Sequence, residues 1–175
     1  MVSLLRTLGI SSDSPPTKKG EVHDRIHAEL PRLGEERVEY LAAFAGLLAR
    51  AAFGDMQISE EEDQAMQTCL RNPVGLDQSD AELVAHIARN ATEALGGVED
   101  YLLTRAFNEH AKPEEKEVLL ECLYVVAAAD GTVSIAEDDE IKQIGSALMI
   151  PHGRIMDVRG KHRDQLEILR NLPSA

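Results

Sequence analysis

Asp130-Gly131-Thr132-Val133-Ser134-Ile135-Ala136-Glu137 has a counterpart seventy-five residues earlier, Asp55-Met56-Gln57-Ile58-Ser59-Glu60-Glu61-Glu62. Asp, a β-branched residue, Ser and Glu fall in the same register. Each copy follows a long apolar run. A repeat of this kind points to an architecture built twice from one supersecondary unit. The offset extends beyond the corner: Phe44 pairs with Leu119, Leu48 with Leu123, Ala51 with Val126, Met66 with Ile141 and Cys69 with Ile144. Each copy therefore reads as a long buried helix, a short corner and a second helix. The expected fold is all-α: a compact domain of two pseudo-symmetric helical hairpins with other helices around them.

The rest of the chain agrees. No stretch alternates apolar and polar residues long enough to make a strand, and helical spacing recurs throughout. Helices are expected at 21–33, 35–53, 59–70, 79–95, 98–111, 113–129, 134–149 and 154–171. Glu35 to Phe53 is apolar on nearly every side, and a helix of that kind is buried nearly all round. Residues 1–10 have the spacing of a short amphipathic helix. Residues 11–20, SSDSPPTKKG, have a linker's composition. Residues 21–175 are expected to form one helical domain.

Composition narrows function. Trp is absent and aromatics make up 3%, so the core must be aliphatic. The net charge is −13, which repels phosphate backbones and argues against nucleic-acid binding. Residues 151–175 carry a net +2, leaving −15 on residues 1–150. The basic end is expected to fold back on the acidic body. Cys69 and Cys122 lie inside helices and read as small core residues of a protein in a reducing compartment. The first ten residues lack the pattern of a signal peptide, and no apolar run is long enough for a membrane span. A cytoplasmic location is expected.

The corners explain themselves largely as caps. Ser59-x-x-Glu62 and Ser134-x-x-Glu137 are capping boxes. Gly131 supplies a positive φ where the preceding helix stops, and Ile58 and Val133 are placed to anchor in the core. Asp55 and Asp130 are less expected, because each stands at the negative end of a helix dipole. Such an Asp gains from a cation, a neighbouring Arg or backbone amides. If the hairpins pack side by side, Asp55, Glu62, Asp130 and Glu137 approach one another. Glu121, in a mostly apolar helix, is a further carboxylate that wants a partner, with Arg105 or Arg50 nearest to hand. These five carboxylates are the candidate metal ligands, and oxygen donors of this type suit Ca²⁺ or Mg²⁺. His23-Asp24-Arg25-Ile26-His27 has the spacing of a helical zinc site, but lacks the Glu of the hydrolase pattern. Both histidines are read as surface residues.

The segment Leu119 to Ile150, LLECLYVVAAADGTVSIAEDDEIKQIGSALMI, resembles the TerB (tellurite resistance B) family. The shared pattern is an apolar helix ending in Ala-Asp-Gly, then a β-branched residue, Ser and Glu, then a second helix. Leu103 to Glu115, LTRAFNEHAKPEE, is similar to the stretch that precedes it in TerB-like bacterial proteins. The likeness runs over residues 36–150. In the first corner Phe53-Gly54-Asp55-Met56 stands where Ala-Ala-Asp-Gly is usual.

The resemblance implies an all-helical fold and a bacterial cytoplasmic protein linked to tellurite or stress resistance. It also implies a metal-binding or adaptor role. Its motif residues are Asp130, Gly131, Ser134 and Glu137, with Asp55, Ser59 and Glu62 as counterparts. The expectation is a non-catalytic module holding a divalent cation on its acidic face. A protein partner is expected on that face or on the N-terminal helix, and a homodimer is compatible with it. The alternative is a metal-dependent enzyme acting on a phosphate-containing substrate through the same carboxylates.

Overall fold

The computed structural model describes residues 20–53, 57–95 and 100–170. Within them the chain is helical: α1 Glu21–Glu29, α2 Glu35–Ala52, α3 Glu60–Arg71, α4 Gln78–Leu95, α5 Asp100–His110, α6 Pro113–Ala127, α7 Ile135–Ala147, α8 His152–Lys161 and α9 Glu167–Arg170. A single turn of 3-10 helix at Arg163–Gln165 joins the last two. The expected N-terminal helix at 1–10 and most of the expected linker fall outside the described residues. So does Asp55.

The repeat predicts the packing. α2 lies on α6, and each also meets the second helix of the other hairpin: α3 packs on α6 and α7 on α2. Those crossed contacts are what a pseudo-twofold produces. α4 and α5 cover the remaining sides of α2, and α1 lies across α2 and α4. Thirteen of the eighteen α2 residues are accordingly buried, Leu41, Phe44, Leu47 and Leu48 completely. Tyr40, Phe44 and Phe107 form an aromatic cluster with ring centroids 5.3 to 6.0 Å apart. Elsewhere the core is aliphatic. Cys69 and Cys122 are buried free thiols in contact with one another. α6 opens with Pro113 at its first position, where the missing N–H costs nothing.

The basic C-terminal stretch does fold back on the acidic body. Arg154 Nη2 donates to Glu117 Oε2 at 2.7 Å. Lys161 Nζ donates to Glu121 Oε1 at 2.5 Å, and Arg159 reaches Asp138 on α7. The backbone then ties itself to the second corner: Val133 N–H donates to Gln165 C=O at 2.8 Å, and Glu167 N–H to Val133 C=O at 2.9 Å. Gln165 Nε2 also reaches the Ala128 carbonyl, and the His162 ring stacks on Tyr124 at 5.6 Å. The tail is a clasp across the second hairpin.

Candidate functional site

Both corners are capping boxes. Ser59 Oγ accepts from Glu62 N–H at 3.1 Å, and Ser59 N–H donates to Glu62 Oε2 at 2.7 Å. In the second corner Ser134 Oγ accepts from Glu137 N–H at 3.2 Å, and Ser134 N–H donates to Glu137 Oε2 at 2.8 Å. Ile58 and Val133 are buried beside them, as their register predicts. Ser134→Ala should cost about 1 kcal/mol in a denaturant titration. A loss below a few tenths would mean that the Val133 bridge alone holds this corner.

The pseudo-twofold brings the two capping glutamates together. Glu62 is 5% and Glu137 4% exposed, and their carboxyl groups are within hydrogen-bonding reach of each other. Burial is the main force that pushes the Glu137 carboxyl up to about 8, from an ordinary 4.5. Its two contacts with Ser134 pull the other way, and the neighbouring Glu62 carboxyl adds to the rise. The pair therefore shares a proton across much of the ordinary pH range, since two carboxylates in contact resist full ionisation.

Asp130 and Glu121, the other predicted ligands among the described residues, do not join them. Asp130 is exposed, and its Oδ1 accepts from Thr132 N–H at 2.8 Å. Gly131 beside it has φ +96°. Of the three ways to satisfy an Asp at a helix C-terminus, this chain uses the backbone amide. Glu121 is also exposed, on α6, and pairs with Lys161. The expected partners are engaged elsewhere: Arg105 with Glu109 and Arg50 with Glu140. Glu121 thus answers to α8, whose place on the body was not readable from local spacing.

A second buried acid lies near this site: Asp138, in the first turn of α7, is 2% exposed. Arg159 Nε donates to both its oxygens at 2.8 and 3.0 Å, and Arg159 Nη2 donates at 2.9 Å. Tyr124 Oη–H donates at 3.0 Å, and Lys142 Nζ stands 3.3 Å away. Burial alone would raise the Asp138 carboxyl, but the Arg159 hydrogen bonds and charge, the Tyr124 hydrogen bond and the Lys142 charge together outweigh it and hold the group below its ordinary value. This is a structural clamp with its charges matched.

The reading of both α1 histidines as surface residues is corrected in one case. His27 is exposed, but His23 is 8% exposed. His23 stands three residues before Ile26 and seven before Leu30, on the stripe that α1 buries. That spacing was the available signal. Nδ1 of His23 lies 3.2 Å from Asp24 Oδ1 and Nε2 lies 3.3 Å from Glu35 Oε1.

An open groove between α3 and α4 is lined by Glu60, Asp63, Gln64, Gln67, Glu82, Leu83 and His86. Gln67 bonds Asp63 there, and His86 Nε2 meets Asn90 on its own helix at 2.9 Å. Among the described residues, no helix is long and apolar enough to cross a membrane.

Comparison with known proteins gives one match. A search of curated proteins and a search of solved structures returned none. The family model described as Tellurite resistance protein TerB matches residues 41–159. That span runs from the first buried turns of α2, through both capping corners and the glutamate pair, to Arg159. With the matched span covering most of the chain and both halves of the hairpin repeat inside it, the protein belongs to the TerB family.

Proposed function

We propose that this chain is a non-catalytic binding module in which Glu62 and Glu137 together hold a divalent cation, Mg²⁺ or Ca²⁺, in a tellurite- or stress-resistance setting. The observation that carries this reading is the convergence of two buried carboxylates from symmetry-related corners. Each already gives Oε2 to its own cap, so the backbone orients both groups without needing a metal. A proton shared between them sits where two carboxylates would otherwise repel each other. A small hard cation can replace that proton, and Mg²⁺ in particular is commonly held by one or two carboxylates with waters completing its shell. The cation neutralises the charge that burial penalises.

The surface around the corners favours association over chemistry. Glu60, Glu61, Asp139 and Asp130 are exposed there, and the groove beside α3 adds Asp63 and Glu82 without a lysine or arginine in its lining. Such a surface suits a basic partner segment. Phosphate chemistry through the same carboxylates would call for cationic groups facing them.

The test is a titration of Mg²⁺ and Ca²⁺ at millimolar levels, above pH 8 and again near pH 5. Above pH 8 the melting temperature should rise by about 2–4 °C for each kcal/mol of binding free energy, with amide shifts at Glu62 and Glu137. Near pH 5 the proton should win and the effect should vanish. Glu62→Gln and Glu137→Gln should each abolish it. An unchanged wild-type spectrum above pH 8 would leave capping as the whole role of the pair.

A further inference from the structure

A second constellation lies at the edge of the family-matched span, where three helix ends meet. His23 comes from the first turn of α1, Glu35 and Glu39 from the first turns of α2, and His110 is the last residue of α5. His23 Nε2 and carboxylate oxygens of Glu35 and Glu39 all lie within 4.8 Å of one another. His110 Nε2 is 2.7 Å from Glu39 Oε2, and His27 Nε2 is 3.6 Å from Glu35 Oε2. We propose that His23, Glu35 and Glu39 form a binding site for a Zn²⁺-class first-row divalent ion.

The buried imidazole carries the inference. His23 Nε2 is sealed from solvent and has no hydrogen-bond partner, although Glu35 Oε1 is only 3.3 Å away. On its other side Nδ1 is 3.2 Å from Asp24 Oδ1. With the Nδ1 proton directed to Asp24, Nε2 offers a lone pair toward two carboxylates. Lone pair against lone pair is repulsive, and a cation between them reverses the sign. A ligating histidine whose second nitrogen donates to a carboxylate is also the usual orienting arrangement at zinc. A divalent ion neutralises Glu35 and Glu39 while leaving His23 neutral. The mixed nitrogen and oxygen donors separate this site from the glutamate pair at the corners. Imidazole is a poor ligand for Mg²⁺ and Ca²⁺ and a good one for Zn²⁺, Co²⁺ or Ni²⁺. Occupancy would fasten α1, which precedes the matched span, to α2.

Titration of the full chain with Zn²⁺, read by native mass spectrometry, should give one bound ion that excess Mg²⁺ does not displace. Co²⁺ in its place should give the visible absorption of a four-coordinate nitrogen/oxygen site. Asp24→Asn alters only an exposed side chain and should weaken binding about 10–100-fold. His23→Gln and Glu39→Gln should weaken it further. Helical circular dichroism checks that each variant folds, and Asp24→Asn with Glu39→Gln decide the matter if His23→Gln does not. The Glu62→Gln/Glu137→Gln double variant should bind Zn²⁺ like the wild type, so this site and the corner pair fail independently. Unchanged affinity in Asp24→Asn and Glu39→Gln would overturn the proposal, as would failure of micromolar Zn²⁺ to bind at all. Either result would reduce the cluster to a structural contact between α1 and α2.

Discussion

Glu62→Gln should be more stable than the wild-type chain above pH 8 and close to it near pH 5. Glu137 titrates near 8 in the folded protein and near 4.5 when unfolded. Between those values the folded state holds a proton that the unfolded state gives up. Stability therefore falls as pH rises through that window, and levels off above it. The limiting slope for one proton is about 1.4 kcal/mol per pH unit. Relaxation around the pair reduces the total to about 2–3 kcal/mol across the window. Gln at position 62 keeps the capping box, which accepts Glu or Gln at this position. Its amide donates to the Glu137 carboxylate, so Glu137 can ionise without facing a second carboxyl, and only burial still raises it. Chemical denaturation at several pH values, in chelator, should give a flatter profile for the variant. Groups outside the pair are common to both proteins and cancel in the difference. Parallel profiles would mean that the two carboxyls do not share a proton.

Arg159→Met should lose about 3 kcal/mol of stability, the low end for breaking a buried ion pair. The loss comes chiefly from Asp138, left 2% exposed without its bidentate partner. Lys142 and the Tyr124 hydroxyl remain and moderate the damage. Adding Asp138→Asn removes the stranded charge and should recover much of the loss, so the double-mutant cycle should show strong coupling. The acid limb carries a second signature. The folded Asp138 carboxyl titrates below its ordinary 3.8, so its contribution is present above that value and disappears as pH falls through the lower folded value. The wild type should unfold more steeply in acid than Asp138→Asn. A loss in Arg159→Met below about 1 kcal/mol would place this pair among surface contacts.

The elements of this fold follow from short-range chemistry, and short-range chemistry is what a sequence displays. Ser-x-x-Glu marked both corners, and the apolar circumference of residues 35–53 marked the central helix. The meeting of Glu62 and Glu137 was legible only through the repeat, because a common offset implies a symmetry axis and an axis makes equivalent residues neighbours. Glu121 and Asp138 were not legible in the same way. Their partners, Lys161 and Arg159, come from α8, which has no counterpart in the repeat. Sequence alone pairs Glu121 with Arg105 or Arg50 instead. His23 was misjudged because residue type outweighed position: a histidine suggests solvent, while its spacing from Ile26 and Leu30 places it inside.

The burial of α2 has a consequence for how the protein is made. Its covering helices α4, α5 and α6 all follow it in the chain, ending at Ala127. Synthesis at roughly 5–20 residues per second leaves an interval of about 4–15 s between the completion of Ala52 and that of Ala127. During that interval α2 has α1 beside it but lacks part or all of its cover by α4, α5 and α6. A growing chain stalled within it presents Leu41, Phe44, Leu47 and Leu48 to whatever binds exposed hydrophobic segments. The emergence of α6 is thus the step that brings the last of these three covers to α2.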